Sequence, residues 1–244
     1  MTVVDDLLLG LGDAPLRQCQ VGPRSTAVWG RCMGLASLHQ EVEQQAPPPG
    51  GSTRQLALQA RSEDLVQAAV GVAAINALLH GDGATAPHLE PGNAYQLILE
   101  RGAGRRVTVV GHFPFVERLR PHVDALWVLE LDPAPGDLPA SAASEVIPRS
   151  DVVAITGSAL VNHTLDALLE LARGTFVLVL GPTTPLSPVL FDHGVAALGG
   201  TVVEHPELML RQVADGVSFR HLQGVRQVIW HRDRRAQGSK MGPR

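Results

Sequence analysis

Five short β-rich runs, at residues 107–110, 125–131, 151–155, 175–180 and 201–203, recur along the second half of the chain, most of them separated by helix or loop segments. Strand and helix in alternation is the pattern of βαβ units, whose strands assemble into a parallel sheet covered by helices. The hand of such crossovers is nearly fixed, so the expectation is a Rossmann-like domain. The third run sharpens it. Val152, Val153, Ala154 and Ile155 form an unbroken apolar stretch, as expected of a central strand buried on both faces.

In open α/β sheets, ligands bind outside the carboxyl ends of the strands, beside the N-termini of the helices that follow. In that position here stand Gly111-His112-Phe113-Pro114-Phe115, Asp132-Pro133-Ala134-Pro135, Thr156-Gly157-Ser158, and the run from Gly181 and Pro182 through Pro185 to Pro188. All four turns lie on one edge of a parallel sheet and bring small, polar and backbone-exposing residues together. The stretch 151–164 leads them. Polarity arrives abruptly after Ile155, and Asn162, His163 and Thr164 precede the helical spacing of Leu165, Leu168, Leu169 and Leu171. Asn162 is expected to cap a helix over 163–172, with His163 in its first turn.

Familiar nucleotide signatures are missing. After Val110 the glycines of the dinucleotide fingerprint are replaced by Phe113 and Pro114, and no phosphate loop ending in Gly-Lys-Ser/Thr occurs. Asp132, about twenty residues beyond Gly111, is placed like a ribose-binding acid, a weak signal without the glycines. A serine-nucleophile elbow is also absent.

The first 104 residues read differently. Val4, Leu7 and Leu8 keep helical spacing, and runs at 16–21 and 26–32 flank a hairpin turn at Gly22-Pro23-Arg24-Ser25. The segment 34–39 continues the sheet or opens a helix, and the proline- and glycine-rich run 47–52 must be a loop. Ser62 is a plausible cap for an apolar helix through Leu78, and Asn93 for a shorter one ended by Gly102 and Gly104. A hairpin followed by helices makes residues 1–104 an α+β unit, joined at 102–106 to the Rossmann-like unit at 105–230, with a basic, disordered tail at 231–244.

The chain's 244 residues bury a proper core, and no apolar run approaches the ~20 residues of a membrane span. Sparse aromatics, 4%, and a net charge of -4 argue against nucleic acid. Cys19 and Cys32 are too few for a disulfide framework, and Met-Thr-Val-Val-Asp-Asp is no signal peptide, so the expected compartment is the cytoplasm.

The motifs Gly-His-Phe-Pro-Phe at 111–115, Thr-Gly-Ser-Ala-Leu-Val-Asn-His-Thr at 156–164 and Gly-Pro-Thr-Thr-Pro-Leu-Ser-Pro at 181–188, in that order, resemble the heavy-metal-chelation family of proteins of unknown function. The resemblance implies an N-terminal domain similar to the enolase N-terminal fold, a Rossmann-like second domain, and a site between them for a metal or a metal-chelating small molecule. The cofactor it brings into view is a divalent transition metal.

His112, Asp132 and His163 are the candidate metal ligands, and His112 is also the candidate acid/base. Gly111, Phe113, Asp132, Thr156, Gly157, Ser158, Asn162, Gly181 and Pro182 are the candidate ligand contacts. The closely spaced His, Cys or carboxylate pairs of most transition-metal sites are not evident. Two functions stand side by side: a protein that binds a heavy metal or its chelator, and a transferase or lyase acting on a small anionic amino-acid-like or nucleotide-like substrate in the same cleft. Neither nucleic acid nor membrane is expected as a partner, and a homodimer is allowed.

Overall fold

The computed structural model describes residues 1–38, 40–43, 51–79 and 88–232. It opens with α1 (Val3–Leu9), whose cap is reciprocal: Thr2 accepts from the backbone of Asp5 while the Asp5 carboxylate accepts from that of Thr2. Strands β1 (Gln18–Val21), β2 (Ser25–Trp29) and β3 (Met33–Ser37) form an antiparallel sheet in that order. The expected hairpin is there, and the ambiguous segment after it continues the sheet.

Helix α2 (Thr53–Ala57) is followed by α3 (Leu65–Leu79), apolar on every face and buried throughout its middle. Its first turn is held by Asp64, which accepts from Val66 and Gln67, while Ser62 accepts from Asp64 one step earlier. Gly34 lets β3 lie directly on α3, since a Cβ there would sit 2.0 Å from the Ala73 carbonyl oxygen.

The second sheet contains β4 (Glu90–Pro91), then, after α4 (Ala94–Gly102), β5 (Arg106–Val110), α5 (Val116–Leu119), β6 (Ala125–Glu130), β7 (Leu138–Pro139) and α6 (Ala143–Val146). It continues through β8 (Val152–Thr156), α7 (Leu165–Leu171), β9 (Phe176–Leu180), α8 (Val189–Asp192), β10 (Ala197–Val203), α9 (Pro206–Ala214) and β11 (Val225–His231). The spatial order is β4-β11-β10-β9-β8-β5-β6-β7. Strands β10 to β7 of that order run parallel, while β11 pairs antiparallel with β10 and β4 antiparallel with β11.

The five expected runs are therefore the five principal parallel strands. The chain lays β5, β6 and β7 outward in one direction, then returns to the other side of β5 for β8, β9 and β10. The reversal between β5 and β8 opens a crevice at their carboxyl ends, where doubly wound sheets take ligands.

Alternation along β8 shows how the sheet is buried. Val153 and Ile155 join the core under α6, α7, α8 and the N-terminal elements, whereas Val152 and Ala154 face α4 and α5. β4 and α4 precede residue 104 but pack with this second sheet, through Leu97 and Ile98. β11 runs to His231, so the first residue of the tail expected at 231–244 belongs to a strand, and the residues beyond 232 lie outside the described ones. Among the described residues no helix is long and apolar enough to cross a membrane.

The first sheet and its helices are docked onto the second half rather than tethered to it. Apolar residues of α1 and α3 share one core with Leu186, Leu190 and Phe191. Polar ties reinforce it. Val3 N–H donates to Asp166 (2.9 Å), and buried Asn76 donates to the carbonyls of Leu35 (2.9 Å) and Thr183 (3.2 Å).

Candidate functional site

At the end of β5, Gly111 adopts φ +101, a left-handed conformation that favours glycine, and turns the chain across the sheet edge. The next residue is held on two sides. His112 N–H donates to Glu130 Oε1 (2.7 Å), and its ring Nδ1 lies 2.8 Å from Asp137 Oδ2. Leu131 N–H donates to Glu130 Oε2 (3.0 Å) and Ala134 N–H to Asp137 Oδ2 (3.3 Å), so both carboxylates are seated in their own turns. The Asp137 side chain is 2% exposed and that of His112 43%. An ionised carboxylate only accepts hydrogen bonds, so Asp137 places the ring proton on Nδ1 and leaves Nε2, across the ring, to meet a ligand.

His112 lines a cavity of about 430 Å³ at the crevice between β5 and β8. Gly111, Phe113, Thr156, Ser158 and Asn162 line it too, so six of the residues expected at the site converge there. Leu38, from the end of the first sheet, closes it on one side, and Leu129, Ala159, Leu168 and Leu171 give it an apolar wall. The combination of one aromatic, a few hydroxyl or amide groups and an aliphatic wall suits a small organic ligand.

The turn after β8 is built by close approach. Gly157 meets the loop after β9, where an added Cβ would lie 2.6 Å from the Thr184 nitrogen. Thr156 Oγ1 accepts from Ser158 N–H (3.3 Å), and residues Gly157–Leu160 form a single 3-10 turn. That turn delays the helix. α7 begins at Leu165, and His163 sits outside it at φ +58, with Nε2 2.8 Å from the Ser62 carbonyl oxygen. Asn162 therefore does not cap the helix: its Oδ1 accepts from Thr164 Oγ1 (2.7 Å) and Thr164 N–H (3.3 Å), closing the turn in front of it.

Other expected residues stand apart. Asp132 is exposed in the loop after β6 and does not line the cavity. Gly181 lines a second cavity, on the α4 side of the sheet, which shares Phe113 with the first. Pro182 lies in a small crevice beside Arg24. The expected ligands His112, Asp132 and His163 thus occupy three different loops. Among the described residues no group of three or more His, Cys, Asp or Glu side chains is placed to hold a metal ion.

The thiols do not alter this. Burial pushes Cys19 up to about 11, which keeps it protonated near neutral pH, and Cys32 Sγ lies 3.3 Å from the Ala77 carbonyl oxygen. A larger cavity, about 740 Å³, opens at the opposite edge beside Arg173 and Thr175, at the amino end of β9. It lacks the strand-end turns that present backbone and side chains to a ligand, and its His193 is already engaged by Asp6 at 2.8 Å. The carboxyl-edge cavity is the better candidate.

Sequence reading missed Glu130 and Asp137, the two acids that hold His112. Glu130 had a signal: it closes the second strand of the unit, the position assigned instead to Asp132. Asp137 had none, because only the fold of the loop 131–137 returns it to His112.

Family models described as "Putative heavy-metal chelation" match residues 4–79 and 93–230. An uncharacterized protein of Methanocaldococcus jannaschii is 30% identical over 157 residues, 59% of this chain and 58% of that relative, so the match spans less than two thirds of its length. A solved structure from Desulfitobacterium hafniense, of unknown function and from the family matched at 93–230, superposes with TM-score 0.85 at 29% identity, covering 94% of this chain and 97% of that one. A further family structure, from Pyrococcus horikoshii, gives TM-score 0.78 at 22% identity over 94% and 98% of the two chains, a likeness of fold alone.

Proposed function

The chain belongs to the heavy-metal-chelation family, and from that premise we propose that its carboxyl-edge cavity binds a metal ion carried in a small chelating molecule, with His112 as the protein's donor to the metal. The observation that carries this reading is the His112–Asp137 pair. Histidines that ligate metals commonly donate their second ring N–H to a carboxylate, which fixes ring orientation and strengthens the donor nitrogen. Asp137 stands in that place, 2.8 Å from Nδ1.

One protein donor does not hold a bare ion well, and the described residues offer no group of three. The rest of the coordination shell has to come from the ligand. A chelate with an open position meets that need, and the aliphatic wall from Leu129, Leu168 and Leu171 suits the organic part of such a molecule.

Calorimetric titration with nickel(II) alone and with nickel(II)–nitrilotriacetate tests the proposal. The chelate is expected to bind with one-to-one stoichiometry and the free ion more weakly. His112→Ala abolishes chelate binding, and Asp137→Asn weakens it by about 10–100-fold. Unchanged chelate binding by folded His112→Ala refutes the assignment.

The same pair favours a second reading. A histidine oriented by a carboxylate also serves as general acid or base, for a transferase or lyase acting on a small anionic amino-acid-like or nucleotide-like substrate. A His112→Ala protein that keeps chelate binding but loses turnover of such a substrate would favour this enzyme.

A further inference from the structure

We propose that the protein carries a second ligand site, on the α4 side of the sheet, for a planar organic anion whose phosphate or carboxylate is held by Arg118 and Arg220. This site is independent of the chelate reading, although Phe113 lies between the two cavities and lines both.

The second cavity has a volume of about 500 Å³, within the usual range for small-molecule sites. Its floor is main chain. Gly181 follows the end of β9 and Gly199 lies within β10 beside it, joined by a hydrogen bond from Gly181 N–H to the Gly199 carbonyl (2.9 Å). A Cβ on Gly199 would already press within 3.2 Å of Ala94, so the bare backbone is part of the packing. One wall is aromatic. Phe113 and Phe115 stack with centroids 5.2 Å apart, and Tyr95 leans on Phe115 at 5.7 Å.

Charge identifies the ligand class. Arg118 and Arg220 line the cavity, and among the described residues no Asp or Glu does. Among the described residues neither Arg118 nor Arg220 forms an ion pair, and nor do Arg17, Arg31, Arg54, Arg101, Arg105, Arg211 and Arg232; what sets these two apart is that both line the same cavity. The Arg118 guanidinium lies over the Tyr95 ring, 4.5 Å from its centroid, so its position is set by an aromatic face and not by an acid.

In a chain of net charge -4, two uncompensated guanidinium groups beside a concave surface make a local field of the opposite sign. Their planar forks match the oxygens of a phosphate or carboxylate. The aromatic wall beside them favours a flat, unsaturated body over a bare inorganic ion.

Phenyl phosphate and benzoate are the probes, with inorganic phosphate and phenol as the charge-only and ring-only comparisons, followed by amide NMR of the whole chain. We expect at least one aromatic anion to saturate the signals of Gly181 and Gly199. The tighter of the two identifies the oxyanion, and phosphate and phenol should bind at least about tenfold more weakly. Arg118→Ala and Arg220→Gln each weaken binding by about tenfold or more, while Arg173→Ala, on the opposite edge, leaves it unchanged.

Arg220 is exposed, so Arg220→Gln keeps the test decisive even if Arg118→Ala unsettles Tyr95. The proposal is overturned if neither aromatic anion saturates, if inorganic phosphate binds as tightly as phenyl phosphate, or if folded Arg220→Gln binds the probes as the parent does.

Discussion

Gly157→Ala tests the packing that shapes the candidate cavity. The added methyl would lie 2.6 Å from the Thr184 nitrogen, 2.8 Å from Thr184 Oγ1 and 2.9 Å from the Thr183 carbonyl carbon, where ordinary van der Waals contact begins at 3.4 Å. The two loops must separate by about 0.8 Å, the difference between 3.4 and 2.6. Thr183 resists that movement, because its Oγ1 accepts from Ser37 N–H (2.9 Å) and its carbonyl from Asn76 (3.2 Å).

Overpacking of this kind costs about 1–3 kcal/mol. For a chain of this size that lowers the melting temperature by about 2–12 °C. Differential scanning calorimetry measures it, with Gly10→Ala as reference, since a Cβ at Gly10 meets nothing within 4 Å and φ there is -85°. Gly10→Ala should be neutral or slightly stabilising. Thr184→Ala should not rescue Gly157→Ala, because two of the three close atoms belong to the backbone. A Gly157→Ala protein melting within about 1 °C of the parent, or fully rescued by Thr184→Ala, refutes the reasoning.

Asn76→Leu removes the donor shared by Leu35 and Thr183 and leaves buried carbonyls unmatched, so urea unfolding should show a loss of about 2–5 kcal/mol; a loss below that range would show that the two bonds matter little. Gly34→Ala drives a methyl into the α3 backbone at 2.0 Å from Ala73 O and 2.4 Å from Ala77 N, and should destabilise more than Gly157→Ala in the same calorimetric series. The Arg106 guanidinium and backbone N–H hold the Asp151 carboxyl at about 2, against an ordinary 3.8. A carboxyl depressed in the folded state contributes its stability above the unfolded value and loses it as pH falls toward the folded one. Asp151→Asn should therefore lower the urea midpoint near neutral pH, with the gap narrowing between 3.8 and about 2; a gap independent of pH contradicts the pairing.

Much of the fold was legible because it rests on local periodicity. The apolar run at 152–155 reads as a doubly buried strand, and the hairpin around Gly22-Pro23-Arg24-Ser25 announces itself through turn chemistry. β11 was not legible, since Arg226 and Gln227 interrupt its apolar pattern with polar residues that an antiparallel strand tolerates on its exposed part. The start of β10 was hidden by Gly199 and Gly200, whose value lies in the neighbours they admit, Ala94 and Leu186.

The site divides the same way. The turn after each strand could be read off the chain, because the parallel pattern places all strand ends on one edge. His163 was misplaced because a 3-10 turn and a left-handed residue intervene before α7, and neither has a strong local signature.

The sequence alone determined the layered α/β architecture, the loops that gather at one edge of its sheet, and the motifs of the heavy-metal-chelation family. Tertiary structure decided which residues of those loops meet: Asp137 with His112 across 25 positions, Thr183 with Asn76 across 107, and two arginines at one cavity. The physical reason is range. Secondary structure follows from side chains three, four or two residues apart, whereas a site needs charges and donors brought together by the packing of whole elements, which no local pattern encodes.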